Sequence, residues 1–345
     1  MRAGGYFMIF YICHRAHANT LASLLLYFRT DLQDFVRIVP HDESAHLLGI
    51  SRGSAIWTDL DRLSEAEIEA SANLSKRIRL QQPDLVQFNH PRQTVQRFDL
   101  LRMLFSDGTN GFNVYRPETL PDRMRFPVFL RDEAGATYKT PRLLSSRVEL
   151  DQELSKLDKM HFVRPMVVEF GSKAAPDGNY RKYAAYRIGG ESYAQHCFAS
   201  ARWFVKDPGK GMSGQQRAEH AAYVRDNPHA GALMPIFDKA RISYGRIDYT
   251  VVDGRIQVFE INTNPTVLNY PPTPFDTYDS QPYADMHARA LALLPRADDP
   301  VSSPDIDKTH LEILGALRKK YRRKRVKLTV RRGLRYFWGT TFGGK

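Results

Sequence analysis

The chemistry-bearing side chains crowd into one stretch, residues 246–265. Asp248, Glu260 and Asn262 sit on two β-rich runs that flank Asp253-Gly254. An Asp-Gly pair between such runs is a strong hairpin signal. Glu260 and Asn262 are two apart, so they share a face, about 6.5–7 Å apart along the strand. Asp248 lies on the partner strand and could meet them across the ladder. Two carboxylates and an amide oxygen on one face make a hard-oxygen set suited to Mg²⁺, or Mn²⁺, that keeps waters and bridges phosphates. An ordinary edge hairpin with polar residues in water explains Asp253 and Arg255. It does not explain Glu260, Asn262 and Asn264 within and after the apolar run of Ile256, Val258, Phe259 and Ile261.

The shared face carries a condition on register. A two-residue loop at Asp253-Gly254 would pair Asp248 with Phe259 and turn it away from Glu260, because side chains alternate with period two. A three-residue turn with Gly254 in the left-handed region restores the alignment. The expected hairpin is therefore bulged at its turn, and a regular two-residue turn would count against a metal face.

The elements that must position this hairpin follow from the pattern upstream. Residues 7–12, 35–39, 55–58 and 85–88 read as strands, alternating with helical segments at 21–28 and 64–80. That alternation argues for a small α/β domain with a parallel sheet. Helix 93–105, strand 126–131, helix 150–157 and strand 162–170 come next. A second hairpin has Gly189-Gly190 in its turn, and helices 215–225 and 230–240 lead to the first-named hairpin. On the Gly-Gly hairpin, Arg181, Tyr183, Ala185 and Arg187 share one face, and two cations beside a small residue suit an anionic ligand. A solvated edge strand has the same look. Pro271, Pro272 and Pro274 break structure, and 284–294 is the last helix of the body.

Arg246-x-Asp248, a turn, then Glu260-x-Asn262-x-x-Pro265 resembles the metal hairpin of ATP-grasp enzymes. It looks especially like that of carboxylate–amine ligases of the D-alanine–D-alanine ligase and glutamate-ligase kinds. Asn89-His90-Pro91 before a basic helix also matches, and the likeness runs over roughly residues 80–295. It implies an ATP-grasp fold of two α+β subdomains at 121–298, a preceding parallel-sheet α/β domain at 1–120, and a linker with a basic segment at 299–345. It also implies ATP with one or two Mg²⁺ ions at Asp248, Glu260 and Asn262. A substrate carboxylate would become an acylphosphate, an amine would attack it, and ADP and phosphate would leave. Arg246 would stabilise the acylphosphate and its tetrahedral successor, while Arg131, Arg187 and Lys206 would clamp phosphates. Arg131 stands where the family has a lysine, and Arg202 is an alternative to Lys206. The loop 132–140, with Gly135 and Lys139, would be the lid; the hinge at Glu169 and Phe170 would hold the adenine. Either Arg97 or Arg102 would add a phosphate contact. Phosphoryl transfer asks mainly for positioning and charge neutralisation, and these residues offer both.

Two other functions fit the same sequence. An ATP-grasp-type kinase would leave phosphate on a small-molecule product. A degenerate nucleotide fold would bind membrane or nucleic acid through the tail. The formal charge is +12, but residues 301–345 hold thirteen Lys/Arg against three acids, a net +10, leaving +2 on the other 300 residues. Basicity is thus a property of the tail, which fits a solvated helix with a frayed end as well as a segment that meets an anionic membrane or an acidic polymer, with nucleic acid a lesser partner. Two cysteines, Cys13 and Cys197, exclude a disulfide framework and fit a reducing, cytoplasmic setting. The early apolar runs are shorter than the ~18–20 residues of a membrane span. Arg2, a short apolar run and Ala16-His17-Ala18 imitate a signal peptide, but 7–12 reads better as a buried strand. Substrate identity and oligomeric state, a homo-oligomer included, are left open.

Overall fold

A computed structural model describes residues 8–134, 140–157, 162–206, 212–268, 280–295 and 303–342. The described residues form two compact units. One draws on Met1–Asp59, Glu65–Arg92 and Asn264–Lys345, the other on Leu60–Ser64 and Gln93–Thr263.

The first unit is built on β1 (Ile9–Cys13), β2 (Val36–Pro40), β3 (Arg52–Trp57) and β4 (Asp84–Phe88). They form a parallel sheet in the order β2-β1-β3-β4. Every residue of β1 is buried, as its aromatic and β-branched run requires of a strand covered on both faces. The apolar stretch that imitates a signal peptide is this strand. Helix α1 (Asn19–Ser23) runs on through a π-helical turn, Leu24–Phe28, burying Leu21, Leu24 and Leu25. Helix α2 (Glu65–Gln81) buries Ile68, Ser71, Ser75 and Ile78, one stripe at helical spacing.

The second unit carries two antiparallel sheets. β5 (Val114–Tyr115), β6 (Val128–Asp132) and β7 (Pro165–Glu169) pair in the order β5-β7-β6. β8 (Tyr180–Ile188), β9 (Glu191–Ser200), β10 (Tyr244–Val252) and β11 (Arg255–Asn262) pair in the order β11-β10-β8-β9. The helices are α3 (Arg97–Ser106), α4 (Arg147–Leu154), α5 (Gly214–Asp226) and α6 (Ala230–Ala240). A capping box between Ser213 and Gln216 starts α5. From α6, Leu233, Ile236, Phe237 and Ala240 bury against Ala185, Ile247, Tyr249 and Ile261 of the four-stranded sheet. Leu100 and Leu104 of α3 join that cluster, whereas Leu101 packs with Phe112, Val114, Met166 and Val168. Helix α3 therefore ties the two sheets together, which fixes where its first residue, Arg97, must point.

The chain then returns to the first unit through α7 (Gln281–Ala292) and α8 (Pro304–Phe342). Helix α8 is more than a basic appendage. Ile306, His310, Ile313, Leu314 and Tyr321 are buried, and Nδ1 of His310 accepts the Ile38 peptide N–H of β2 at 3.0 Å. Arg37 pairs with Asp307, and the Tyr321 hydroxyl donates to the Asn19 carbonyl. The observed units are interleaved rather than sequential. Residues 93–120 belong with the second unit, and the described residues after 263 belong with the first. Leu314 is 2% exposed, so Leu314→Ala is expected to cost about 2–4 kcal/mol in urea unfolding. A midpoint equal to wild type would mean that α8 does not stabilise the unit. No helix among the described residues is long and apolar enough to cross a membrane.

Candidate active site

The four-stranded sheet of the second unit has one polar face, and strand register places its members. On β10 and β11, Arg246 stands opposite Asn262 and Asp248 opposite Glu260. On β8, Tyr186 is opposite Arg246 and Ala184 opposite Asp248. Directly paired residues share a face, and alternation adds Lys182 two before Ala184. Asp248, Glu260 and Asn262 are thus on one side, as expected, with Arg246 beside them.

The shared face arises differently from the expected way. The turn is a regular two-residue one, with Val252 opposite Arg255 and positive φ at both Asp253 (49°) and Gly254 (76°). This is the pattern that a type I′ hairpin demands. The register shifts within the strands instead: Tyr249 pairs with Val258 and Asp248 with Glu260, leaving Phe259 as the extra residue. The bulge predicted at the turn lies at Phe259, and it brings the carboxylates together all the same.

Four cations meet the two carboxylates. Asp248 receives Arg246 Nε at 2.8 Å and Lys182 Nζ at 2.8 Å. Glu260 receives Arg97 at 2.6 Å from the start of α3 and Arg131 at 2.9 Å from β6. All six side chains are at most 19% exposed. Burial raises both carboxyl pKa values, but Arg246 and Lys182 overcome this at Asp248, and Arg97 and Arg131 at Glu260. Each is drawn down to about 2. Burial and the neighbouring Arg97 push Arg131 down to about 10. The Nε atoms of Arg97 and Arg131 are buried without hydrogen-bond partners.

The three-stranded sheet and α3 hold this constellation in place. Arg97 also donates to the Glu133 carbonyl at 2.7 Å. The Glu133 carboxylate accepts the Phe98 N–H in the first turn of α3 and pairs with Arg116. A carboxylate at a helix N-terminus is favoured by the unpaired N–H groups there. Between Arg97 and Arg102 the structure puts Arg97 on Glu260; Arg102 reaches Asn113 at 3.4 Å.

Other expected site residues fall elsewhere. Arg187 faces away from Asp248, with Nε on the Gly189 carbonyl and a guanidinium nitrogen on Asp238 of α6. Arg181, on the same face, is held by Asp177 and by Glu219 of α5. The cationic face read as ligand-facing is the one that packs on helices, and Lys182, one position along, was missed. Arg187→Ala is therefore expected to shift stability by under about 1 kcal/mol in urea unfolding. A larger loss would mean that the pair with Asp238 is worth more than a surface ion pair. Glu169 is also occupied: its carboxylate accepts from the Asn113 N–H, the Tyr115 hydroxyl and the Arg125 N–H. These bonds tie the end of β7 to residues 113–125. Phe170 follows it in an aromatic group, 5.5 Å from Trp203 and 6.1 Å from Tyr180, and Trp203 is 5.1 Å from Phe129. Gly171 is needed there, because a Cβ would stand 2.0 Å from the Phe112 ring. Lys206 is exposed, its ammonium 5.3 Å from the centre of the Phe204 ring. Lys139 and Gly135 lie outside the described residues.

Two carboxylates and an amide oxygen are hard donors of the kind a divalent cation takes. Asp248 and Glu260 are ionised and face each other across the ladder, with Asn262 two residues from Glu260. Among the described residues no cluster of three or more His, Cys, Asp and Glu side chains could hold a metal ion, so exogenous oxygens would have to complete the shell.

No protein-family model and no curated protein sequence matches the chain. Solved structures do. A D-alanine–D-alanine ligase from Bacillus anthracis is 12% identical with a TM-score of 0.49, over 83% of this chain and 97% of that one. The D-alanine–D-alanine ligase from Coxiella burnetii is 12% identical with a TM-score of 0.46, over 91% and 99%. An L-amino acid ligase from Bacillus licheniformis is 11% identical with a TM-score of 0.40, over 75% and 67%. Any chemistry has to come from the side chains described above.

Proposed function

We propose that the chain is an ATP-dependent ligase that joins a small-molecule carboxylate to an amine through an acylphosphate, releasing ADP and phosphate. The observation that carries this reading is the polar face of the second unit. Four largely covered cations there surround two carboxylates, none of the six more than 19% exposed, an excess of positive charge in a poorly solvated place. A polyphosphate is the ligand such a face suits, because its oxygens can take over the cations that the carboxylates now hold. Arg97 and Arg131 would turn from Glu260 to phosphate, and Lys182 would do so from Asp248. Asp248, Glu260 and Asn262, so released, would hold Mg²⁺ or Mn²⁺, which supplies charge neutralisation across the phosphates. Arg246, bonded to Asp248 and 3.3 Å from Gln195, is placed to stabilise the acylphosphate and the tetrahedral species formed when the amine attacks. Phe129, Phe170 and Trp203 offer apolar ring surface for the base.

Balanced product analysis tests the proposal. Incubation with ATP, Mg²⁺ and a panel of amino acids and small carboxylic acids should yield ADP and free phosphate in equal amounts, together with an amide. ADP without free phosphate would make the protein a kinase. No nucleotide turnover across the panel would refute both forms of the chemistry.

A further inference from the structure

The polar face holds one more group that its ion pairs do not use. His196 of β9 is paired with Ala184 of β8, which is paired with Asp248 of β10. His196 and Asp248 therefore stand on the same face, with only the small Ala184 side chain between them. His196 is 9% exposed and lies flat on Phe198, ring centroids 4.0 Å apart and planes 9° from parallel. Stacking fixes the plane of the imidazole. Its Nε2 is buried and has no hydrogen-bond partner. A buried polar atom without a partner costs free energy and asks for an explanation.

The surroundings say what kind of partner is missing. Burial, with Arg246, Lys182 and His220 nearby, keeps the ring neutral by lowering its pKa well below the usual value. A neutral imidazole can either donate or accept at Nε2. Lys182 and Arg246, on the same face, select an electron-rich oxygen as the partner, so Nε2 must be the donor. We propose that His196 is a ligand-binding residue of this site, donating its Nε2–H to a phosphoryl oxygen of the bound nucleotide. The proposal rests on the nucleotide reading above and adds a contact to it.

Calorimetric titration with Mg²⁺ and the non-hydrolysable analogue AMP-PNP separates the two. His196→Phe keeps a flat ring over Phe198 but has no N–H, whereas His196→Gln keeps a donor of similar reach. The Phe variant should bind about tenfold more weakly or worse, the size of one lost hydrogen bond to a charged group. The Gln variant should recover most of the affinity. Should the Phe variant fail to fold, ¹⁵N spectra of histidine-labelled wild type give the same information. The Nε2 signal of His196 should be that of the protonated nitrogen and should shift on saturation with AMP-PNP. Wild-type affinity in His196→Phe, or an unmoved Nε2 signal at saturation, overturns the contact while leaving the nucleotide reading intact. Wild type that fails to bind AMP-PNP overturns both.

Discussion

Glu260→Ala is expected to cost the second unit about 3–5 kcal/mol, the usual penalty for removing one partner of a buried ion pair. The cost comes less from the lost attraction than from what is left behind. Arg97 and Arg131 both lie on Glu260 and are 6% and 14% exposed. Without the carboxylate they become two buried like charges that repel each other. Arg131 is already pushed down to about 10 by burial and by Arg97 while Glu260 is present. Urea unfolding followed at Trp203 would show the loss as a lower midpoint. Glu260→Gln, which keeps the shape and an acceptor oxygen, should fall between the two proteins. A Glu260→Ala midpoint within error of wild type would mean that the guanidinium groups are not held there.

Acid should weaken the protein through the same pairs. Asp248 and Glu260 have folded pKa values of about 2, against ordinary values of 3.8 and 4.5. A depressed folded pKa gives stability that is fully present above the unfolded value and is lost as pH falls through the folded one. The loss should therefore run from about pH 5 down to about pH 2. At 1.36 kcal/mol per pKa unit each carboxyl contributes on the order of 2–3 kcal/mol, and the two are neighbours whose contributions are not independent. Measured unfolding free energies should drop by a few kcal/mol across this window, and Asp248→Asn should flatten the drop. An equally steep loss in Asp248→Asn would assign the acid sensitivity to other carboxylates.

The hairpin was legible because its polar residues interrupt a strand that packing would otherwise fill with apolar ones. Its exact register was not. A bulge at Phe259 leaves no mark in a run that reads as an ordinary apolar strand, whereas Asp-Gly announces its turn. Strand β8 shows a second limit. Alternation separates Arg181, Tyr183, Ala185 and Arg187 from Lys182, Ala184 and Tyr186, but nothing in the strand says which set meets the helices. That was decided by Asp238 and Glu219 on α6 and α5, acids distant in sequence that neutralise the arginine face. Ala184, as small as Ala185, was an equal cue for the other side. Likewise Glu169 reads as a hinge acid, but its partners Asn113, Tyr115 and Arg125 come from an earlier segment that only the fold brings near. In the tail a readable cue was present. Ile306, His310, Ile313, Leu314 and Tyr321 recur at helical spacing and form the docked side of α8, hidden by the cations around them.

The proposed function requires the polar face to bind a metal and a nucleotide together. Electron paramagnetic resonance of Mn²⁺ tests it directly, because free and bound ions give distinct signals. With Asp248 and Glu260 each held by two cations, Mn²⁺ alone should bind weakly to wild type. Adding AMP-PNP should tighten its binding at least tenfold, and the effect should vanish in Glu260→Ala. Mn²⁺ binding that AMP-PNP does not change, or that survives in Glu260→Ala, would contradict the account.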